Sequence, residues 1–418
     1  ALWDWGTQPF NTVITTFVFS VYLTSNAFGD QNHTNQALSV STALAGIVVA
    51  VLAPLLGQNA DRSGRLVTNL RWQTWGLVLI MAAMFLIEPR PSHLVAGLAL
   101  LGFGSIISDL AGVNYNATIE QVASGRNVGR VSGLGWGLGY LGGIIVLLII
   151  FFGLIAPGHL NHDGLDIRYA MLICAGWTLL FTIPTFLTLK DTPATNTAPR
   201  RGFFASYLDV IRTIGGLWRE KRDLFWFLVA SALFRDGLNG VFAFGAVIAA
   251  GTFGFSSGDV IIFGAVANVT AGVSTIVFGL LDDKLGPRPV ILMSLVSLVI
   301  SGVLVFLMHD AGQLAFWVLG LVMCLFVGPA QSASRSYLAR LIPAGRSGEI
   351  FGLYATTGRA VSFLSPTLFG VAITLGAAIT GGRDAQYFGI LGVVLVLMLG
   401  LGAMLMVPRT SQVVPARR

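Results

Sequence analysis

Charge is scarce in this chain of 418 residues, at 11% Asp, Glu, Lys and Arg. A soluble globular domain carries roughly 25%, so that class is excluded. Cysteine is nearly absent. Cys174 and Cys324, the two present, both lie inside apolar runs, which excludes a disulfide framework and a cysteine-based metal site. The formal charge of +6 is spread over short loops instead of gathering into a patch, so no nucleic-acid partner is implied. No Gly-x-x-x-x-Gly-Lys-Ser/Thr phosphate loop occurs, which argues against an ATP-driven pump. Paired His or Asp motifs at depth and a Gly-x-Ser-x-Gly elbow are also missing, so the chain does not read as an enzyme and implies no cofactor. His33, His93, His159, His162 and His309 all fall in or beside loops on one side, which excludes a proton relay of buried histidines. His159, His162 and Asp163 raise a metal site only in outline; a solvated loop is the plainer reading, and no metal is expected. A cleavable leader is not visible either, because the first apolar run outlasts a signal core.

Apolar residues are abundant: 55% of the chain, with 51 glycines and a mean hydropathy of +0.78. Runs of about 20 apolar residues satisfy the length rule for spanning a bilayer. They cover roughly 4–27, 38–57, 70–88, 93–120, 129–156, 168–189, 223–250, 258–281, 288–309, 312–340, 348–378 and 386–407. Each must be helical, since an open strand edge has no partners in lipid. The predicted fold is thus an all-α membrane protein of twelve transmembrane helices, numbered here as spans 1 to 12. Basic residues crowd the loops after the even spans 2 to 10 and the tail with Arg409, Arg417 and Arg418, against Arg90, Arg168 and Arg383 opposite. This asymmetry predicts cytoplasmic termini and, for a bacterial chain, the inner membrane.

The chain repeats itself. Gly57-Gln-Asn-Ala-Asp-Arg-Ser-Gly-Arg65 separates spans 2 and 3, and Gly279-Leu-Leu-Asp-Asp-Lys-Leu-Gly-Pro-Arg288 separates spans 8 and 9. In each, one glycine permits close helix approach, charges stay out of hydrocarbon, and a second glycine ends the turn. Gly125-Arg126 before Gly133 is echoed by Gly345-Arg346 before Gly352, and Trp5-Gly6 by Asp236-Gly237. That register starts span 1 before Ala1, so a native extension is expected there. The organisation predicted is two six-helix bundles, 1–190 and 223–418, joined by a linker over 191–222. Phe204, Tyr207, Leu208, Ile211 and Trp218 recur there at helical spacing beside Arg200, Arg201, Arg212, Arg219, Lys221 and Arg222. This pattern predicts an amphipathic helix in the bilayer interface, with a calmodulin-type target helix as the alternative.

These hairpins resemble the signature loop of the major facilitator superfamily. Ala1-Leu-Trp-Asp-Trp-Gly6, the Gly129–Gly143 segment with its run of glycines, and Phe351–Pro366 resemble the branch that includes the autophagy-related vacuolar amino-acid effluxer. The chain departs from that branch at Trp3, Thr7 and Gln8. The resemblance implies two pseudo-symmetric bundles that rock about a cavity lined by spans 1, 4, 7 and 10. It also implies that the hairpins clamp the two halves by salt bridges in part of the cycle. For the fungal relative it implies amino-acid export.

Polar residues fall on single faces of the spans. Asp4, Gln8, Asn11 and Thr15 in span 1, and Ser105, Asp109, Gly112 and Asn116 in span 4, are spaced by three and four. Each set forms a stripe, either lining a channel or joining helices. Asp109, Arg235, Asp236, Arg335 and Arg359 are charges inside spans, each costing roughly 2.5–3.5 kcal/mol if unpaired at mid-bilayer. Asp4 and Asp236 are candidates for coupling or for a substrate amine, and Arg335 or Arg359 for a substrate carboxylate. Asn239, with Trp136 and Tyr140 as an aromatic wall, completes the candidate cavity; permanent ion pairs and core packing are the competing readings. Gly57, Asp61, Arg62, Arg65, Asp282, Asp283, Lys284 and Arg288 are candidate gating residues, with topology anchoring as the alternative. The function predicted is efflux of a small polar or zwitterionic solute coupled to protons, by a monomer in a lipid bilayer. An amphipathic substrate is the rival within transport, and a non-transporting receptor or scaffold the rival outside it.

Overall fold

The computed structural model describes residues 1–157, 162–191, 203–343, 345–381 and 385–408. His159, Arg200, Arg201, Arg383, Arg409, Arg417 and Arg418 lie outside them, as do the side chains of His162 and Phe204. The described residues hold helices and turns and no strand. Ten of the helices are long and apolar enough to cross a membrane. Spans 1 and 3 fail that test for local reasons. Span 3 is the helix Leu66–Ala83, whose first half carries Thr68, Asn69, Arg71 and Gln73. Span 1 breaks into Leu2–Pro9, a π-helix over Phe10–Phe17, and Phe19–Leu23. Hydroxyls hold the widened turn open: Thr15 donates to the carbonyls of Phe10 and Asn11, and Thr16 to that of Asn11, all at 2.8 Å. Such π-bulges concentrate at functional sites.

The helices form two compact units. Unit 1 comprises Ala1–Thr118, Leu138–Pro199 and Ala344–Ala355; unit 2 comprises Ile119–Gly137, Arg200–Pro343 and Thr356–Arg418. The first turns of spans 5 and 11 thus pack with the other half of the chain. Unit 1 has a core of Phe10, Phe19, Leu23, Leu77, Met81, Val146 and Cys174. In unit 2, Phe227 packs on Tyr337 at 4.4 Å between ring centres, and Phe234 is fully buried.

Both hairpin turns are built on left-handed glycines. Gly64 sits at φ +66° and Gly286 at φ +87°, values that a side chain would strain. Asp191 lies within the segment read as linker. Its carboxylate accepts the Val67 and Thr68 amides at 2.8 and 3.1 Å and the Thr68 hydroxyl, capping span 3. After it comes the helix Phe203–Glu220. Val210 and Leu217 are buried, whereas Tyr207, Leu208, Ile211, Ile214 and Trp218 are exposed. Among the described residues that apolar face is largely uncovered, apart from Trp218, which packs on Phe225 and Trp226.

Span 11 is discontinuous. Its helices are Ser347–Val361 and Leu364–Thr380, and the cause is Pro366. Proline has no N–H for the Ser362 carbonyl and its ring clashes with that group, so the helix stops before it.

Candidate functional site

At the hairpin ends, the acids bind backbone before they bind charge. Asp61 accepts the amides of Gly348 and Glu349, each at 2.8 Å, at the N-terminus of span 11 within unit 1. In unit 2, Asp283 accepts the amides of Gly129 and Arg130 at 2.8 and 3.0 Å, at the start of span 5. A carboxylate on a helix N-terminus gains from orphaned N–H groups and from the helix dipole. Close approach is possible because the crossing points are glycine. A Cβ on Gly352 would lie 2.6 Å from the Ala53 carbonyl oxygen, and one on Gly133 2.7 Å from that of Thr275. Gly57 likewise abuts the Gly348 carbonyl.

The salt bridges here join the gating candidates Asp282 and Asp283 to Arg340, and Arg346 to Glu349; Arg340 and Glu349 had no gating role in the sequence reading. Arg340 reaches Asp282 at 3.1 Å and Asp283 at 3.2 Å, and Ser336 donates to Asp282. Glu349, almost fully buried, pairs with Arg346 at 2.8 Å and accepts from Gln58 at 3.3 Å. Of the other gating candidates, Arg62 is half-buried, and Arg65 and Lys284 are exposed. Arg288 donates to the carbonyls of Val407 and Leu405 at 2.6 and 3.3 Å, capping the end of span 12.

In the first turn of span 1, Asp4 is half-buried and accepts the Tyr115 hydroxyl at 2.6 Å, while Tyr115 stacks on Trp3 at 4.3 Å. Gln8 lies with Asp4 along Gly139. Asn11 is exposed, and the π-helix turns it and Thr15 off the α-helical stripe that begins at Asp4. The stripe on span 4 survives intact: Ser105, Asp109, Gly112 and Asn116 are all half-buried, and a Cβ on Gly112 would meet no atom within 4 Å. Tyr140 is buried.

In unit 2, Arg335 is 4% exposed; it donates to the Ser132 hydroxyl at 2.9 Å and carbonyl at 2.7 Å and lies 5.9 Å over the Trp136 ring. Its guanidinium thus knits span 10 to span 5. Arg235 lies along span 11, its guanidinium 3.1 Å from where a Gly358 Cβ would stand. Asp236, 3% exposed, accepts the Ser365 amide at 2.7 Å at the start of the second half of span 11. Asn239 and Arg359 are exposed. Ser365 and Pro366 were read in sequence only as the end of the Phe351–Pro366 motif, although a proline within a span signals a break.

The two units repeat these contacts position for position. Gly139 faces Asp4 as Gly358 faces Arg235, and Gly133 meets span 8 as Gly352 meets span 2. This register pairs Asp4 with Arg235 and Trp5 with Asp236. It offsets the Gly125-Arg126 and Gly345-Arg346 echoes by one residue, since Arg126 precedes Gly129 by three and Arg346 precedes Gly348 by two.

A family pattern described as "Vacuole effluxer Atg22 like" matches residues 111–414. The "Uncharacterized MFS-type transporter YxiO" of Bacillus subtilis (strain 168) is 26% identical, over 98% of this chain and 94% of its own length. The "Autophagy-related protein 22" of Yarrowia lipolytica is 26% identical over 68% of this chain, which spans about half of that protein's length, 52%. Among solved structures, the E. coli fucose:proton symporter FucP superposes with a TM-score of 0.68 at 13% identity, covering 98% of this chain and 97% of that one.

Proposed function

The chain belongs to the Atg22-like family of major facilitator superfamily transporters, a multi-pass membrane protein, and from that premise we propose that it carries a small zwitterionic solute of the amino-acid kind by alternating access, driven by a cation gradient. One observation supports the substrate class above others: equivalent positions of the two repeats hold opposite charges, Asp4 on Gly139 and Arg235 on Gly358. An acid suits a substrate ammonium, and a planar guanidinium suits a carboxylate. Each charge sits beside a glycine inside a span, and Asp4 also accepts the Tyr115 hydroxyl. Arg235 replaces Arg335 and Arg359 as the favoured carboxylate ligand, because Arg335 is engaged with span 5. The cation expected from sequence is the proton, and its carrier is Asp236. The amide bonds of Asp61 and Asp283 support a gating role, since each ties one hairpin to the first turn of a span in the other half of the sequence. Export, a monomeric state and cytoplasmic termini belong to the same proposal.

The decisive measurement is flux in proteoliposomes under imposed cation gradients, with amino acids, dipeptides, sugars and lysolipids as solutes. Wild-type flux of a zwitterion, lost in Asp4→Asn and in Arg235→Gln with protein still in the membrane, is the expected result. Flux confined to solutes without an ammonium group would overturn the substrate class. No flux of any solute would favour the receptor reading. One feature favours the amphipathic alternative: a groove of about 460 Å³ at the outer ends of spans 2 and 4, walled by Ala37, Val40, Leu44, Val95 and Ala99, with His33, Gln36 and Ser41 beside them. Flux of lysolipid would select it.

A further inference from the structure

We propose that the break in span 11 is a Na⁺ site, built from Asp236, Ser365 and the carbonyls that Pro366 leaves without donors. The proposal deepens the transport reading by naming the coupling ion, and it replaces the proton expected from sequence.

Four observations converge on one point at mid-span. The break at residues 362–363 divides span 11 into helices of 15 and 17 residues, and Asp236 is likewise near the middle of Arg222–Gly251. Within a continuous helix the Ser365 amide would bond the Val361 carbonyl; here it bonds Asp236 instead, at 2.7 Å. The Ser362 carbonyl loses its donor to Pro366, which has no N–H. Two consecutive carbonyls at the C-terminal end of one half-helix therefore have no helical partner, and such ends carry partial negative charge directed along the axis, toward the break.

The fourth observation is the Ser365 hydroxyl. Ser365 is 1% exposed, its oxygen has no hydrogen-bond partner, and it rests against Gly240, one turn beyond Asp236 on span 7. A buried hydroxyl without a partner is destabilising, a loss that a bound ligand would reverse. A Cβ at position 240 would collide with that oxygen.

The donor set distinguishes the ion. Every group is a hard oxygen: one carboxylate, one hydroxyl and peptide carbonyls. Half-helix ends with unwound carbonyls are how membrane transporters coordinate Na⁺. A proton on Asp236 would use a single acceptor and leave the hydroxyl and the carbonyls as they are. An anion is disfavoured because Asp236 already occupies the positive end of the second half-helix. The nearest basic groups do not oppose a cation strongly. Arg235 points about 100° away from Asp236 around span 7, and its guanidinium packs at Gly358, seven residues before Ser365 and so about 10 Å along the helix. Arg359 is exposed.

The test is the melting temperature of the purified full chain in detergent, titrated with NaCl against KCl and choline chloride at constant ionic strength and at two pH values, with no substrate. A site of this kind raises the melting temperature by several degrees in NaCl alone. Ser365→Ala, which keeps the amide bond to Asp236, shifts the Na⁺ midpoint at least tenfold upward, and Asp236→Asn removes the response. Equal melting in all three salts, a response to pH alone, or a wild-type Na⁺ midpoint in Ser365→Ala would each overturn the assignment. Because Na⁺ binding is read without flux, its presence or absence is separate from the outcome of the transport assay.

Discussion

Replacing Asp61 by Asn probes the hairpin at its most specific point. The carboxylate accepts two backbone amides at 2.8 Å, from Gly348 and Glu349. Asn offers one carbonyl oxygen, so one bond is lost along with the charge. A hydrogen bond to a charged group contributes about 1.5–3 kcal/mol, and the interaction of a carboxylate with a helix terminus adds about 0.3–1 kcal/mol, up to ~2 when partly buried. Together these give a local destabilisation of about 2–4 kcal/mol. At 1.4 kcal/mol per tenfold, opening of the first turn of span 11 becomes roughly 30- to 700-fold more frequent. Hydrogen exchange followed by mass spectrometry reads this directly as faster exchange in a peptide covering 345–353. The equivalent peptide at the start of span 5, whose amides are held by Asp283, should keep its wild-type rate. Asp283→Asn should give the reverse pattern. Solute affinity should change little, while turnover slows. Unchanged exchange at Gly348 and Glu349, or equal acceleration at both sites, would refute the capping argument.

Other substitutions test other contacts. Gly352→Ala places a Cβ 2.6 Å from the Ala53 carbonyl oxygen and 2.7 Å from the Pro54 Cα, so it should destabilise by about 1–3 kcal/mol; Gly370→Ala, which meets nothing within 4 Å, should leave the melting temperature unchanged. Arg288→Ala frees two carbonyls at the end of span 12 and should cost about 1–3 kcal/mol by thermal denaturation, with solute affinity unaltered. Tyr115→Phe removes the hydroxyl donated to Asp4 at 2.6 Å. A carboxylate released from that bond should bind an ammonium solute with altered affinity, read by calorimetry, whereas a solute without an amine should be indifferent.

How much was legible depended on the range of the interaction. The spans are recoverable from composition because lipid demands about 20 apolar residues and internal hydrogen bonding from each. The hairpins were readable for a similar reason, since Gly64 and Gly286 hold left-handed turns that few other residues accept. Span 1 was harder. Its polar stripe assumes 3.6 residues per turn, and three threonine–carbonyl bonds widen that turn into a π-helix. Arg335 illustrates a second limit. A lone guanidinium in an apolar run invites a substrate, but its partner Ser132 is 203 residues away in sequence. The linker boundary at 190 concealed Asp191, whose role is to cap span 3.

Sequence alone settled that this chain crosses a membrane many times and that its halves carry the same hairpin, because both follow from periodicity and local backbone chemistry; its likeness to the major facilitator transporters rested on whole motifs resembling theirs. Only the tertiary structure decided that Asp61 and Asp283 seize helix ends, that Asp4 and Arg235 each lie against a glycine of the neighbouring span, and that Asp236 meets the interrupted helix at Ser365. Those facts depend on which helix crosses which, and a crossing is chosen by the summed packing of the whole bundle, with glycines at Gly133 and Gly352 admitting backbones that no short stretch of residues could have brought together.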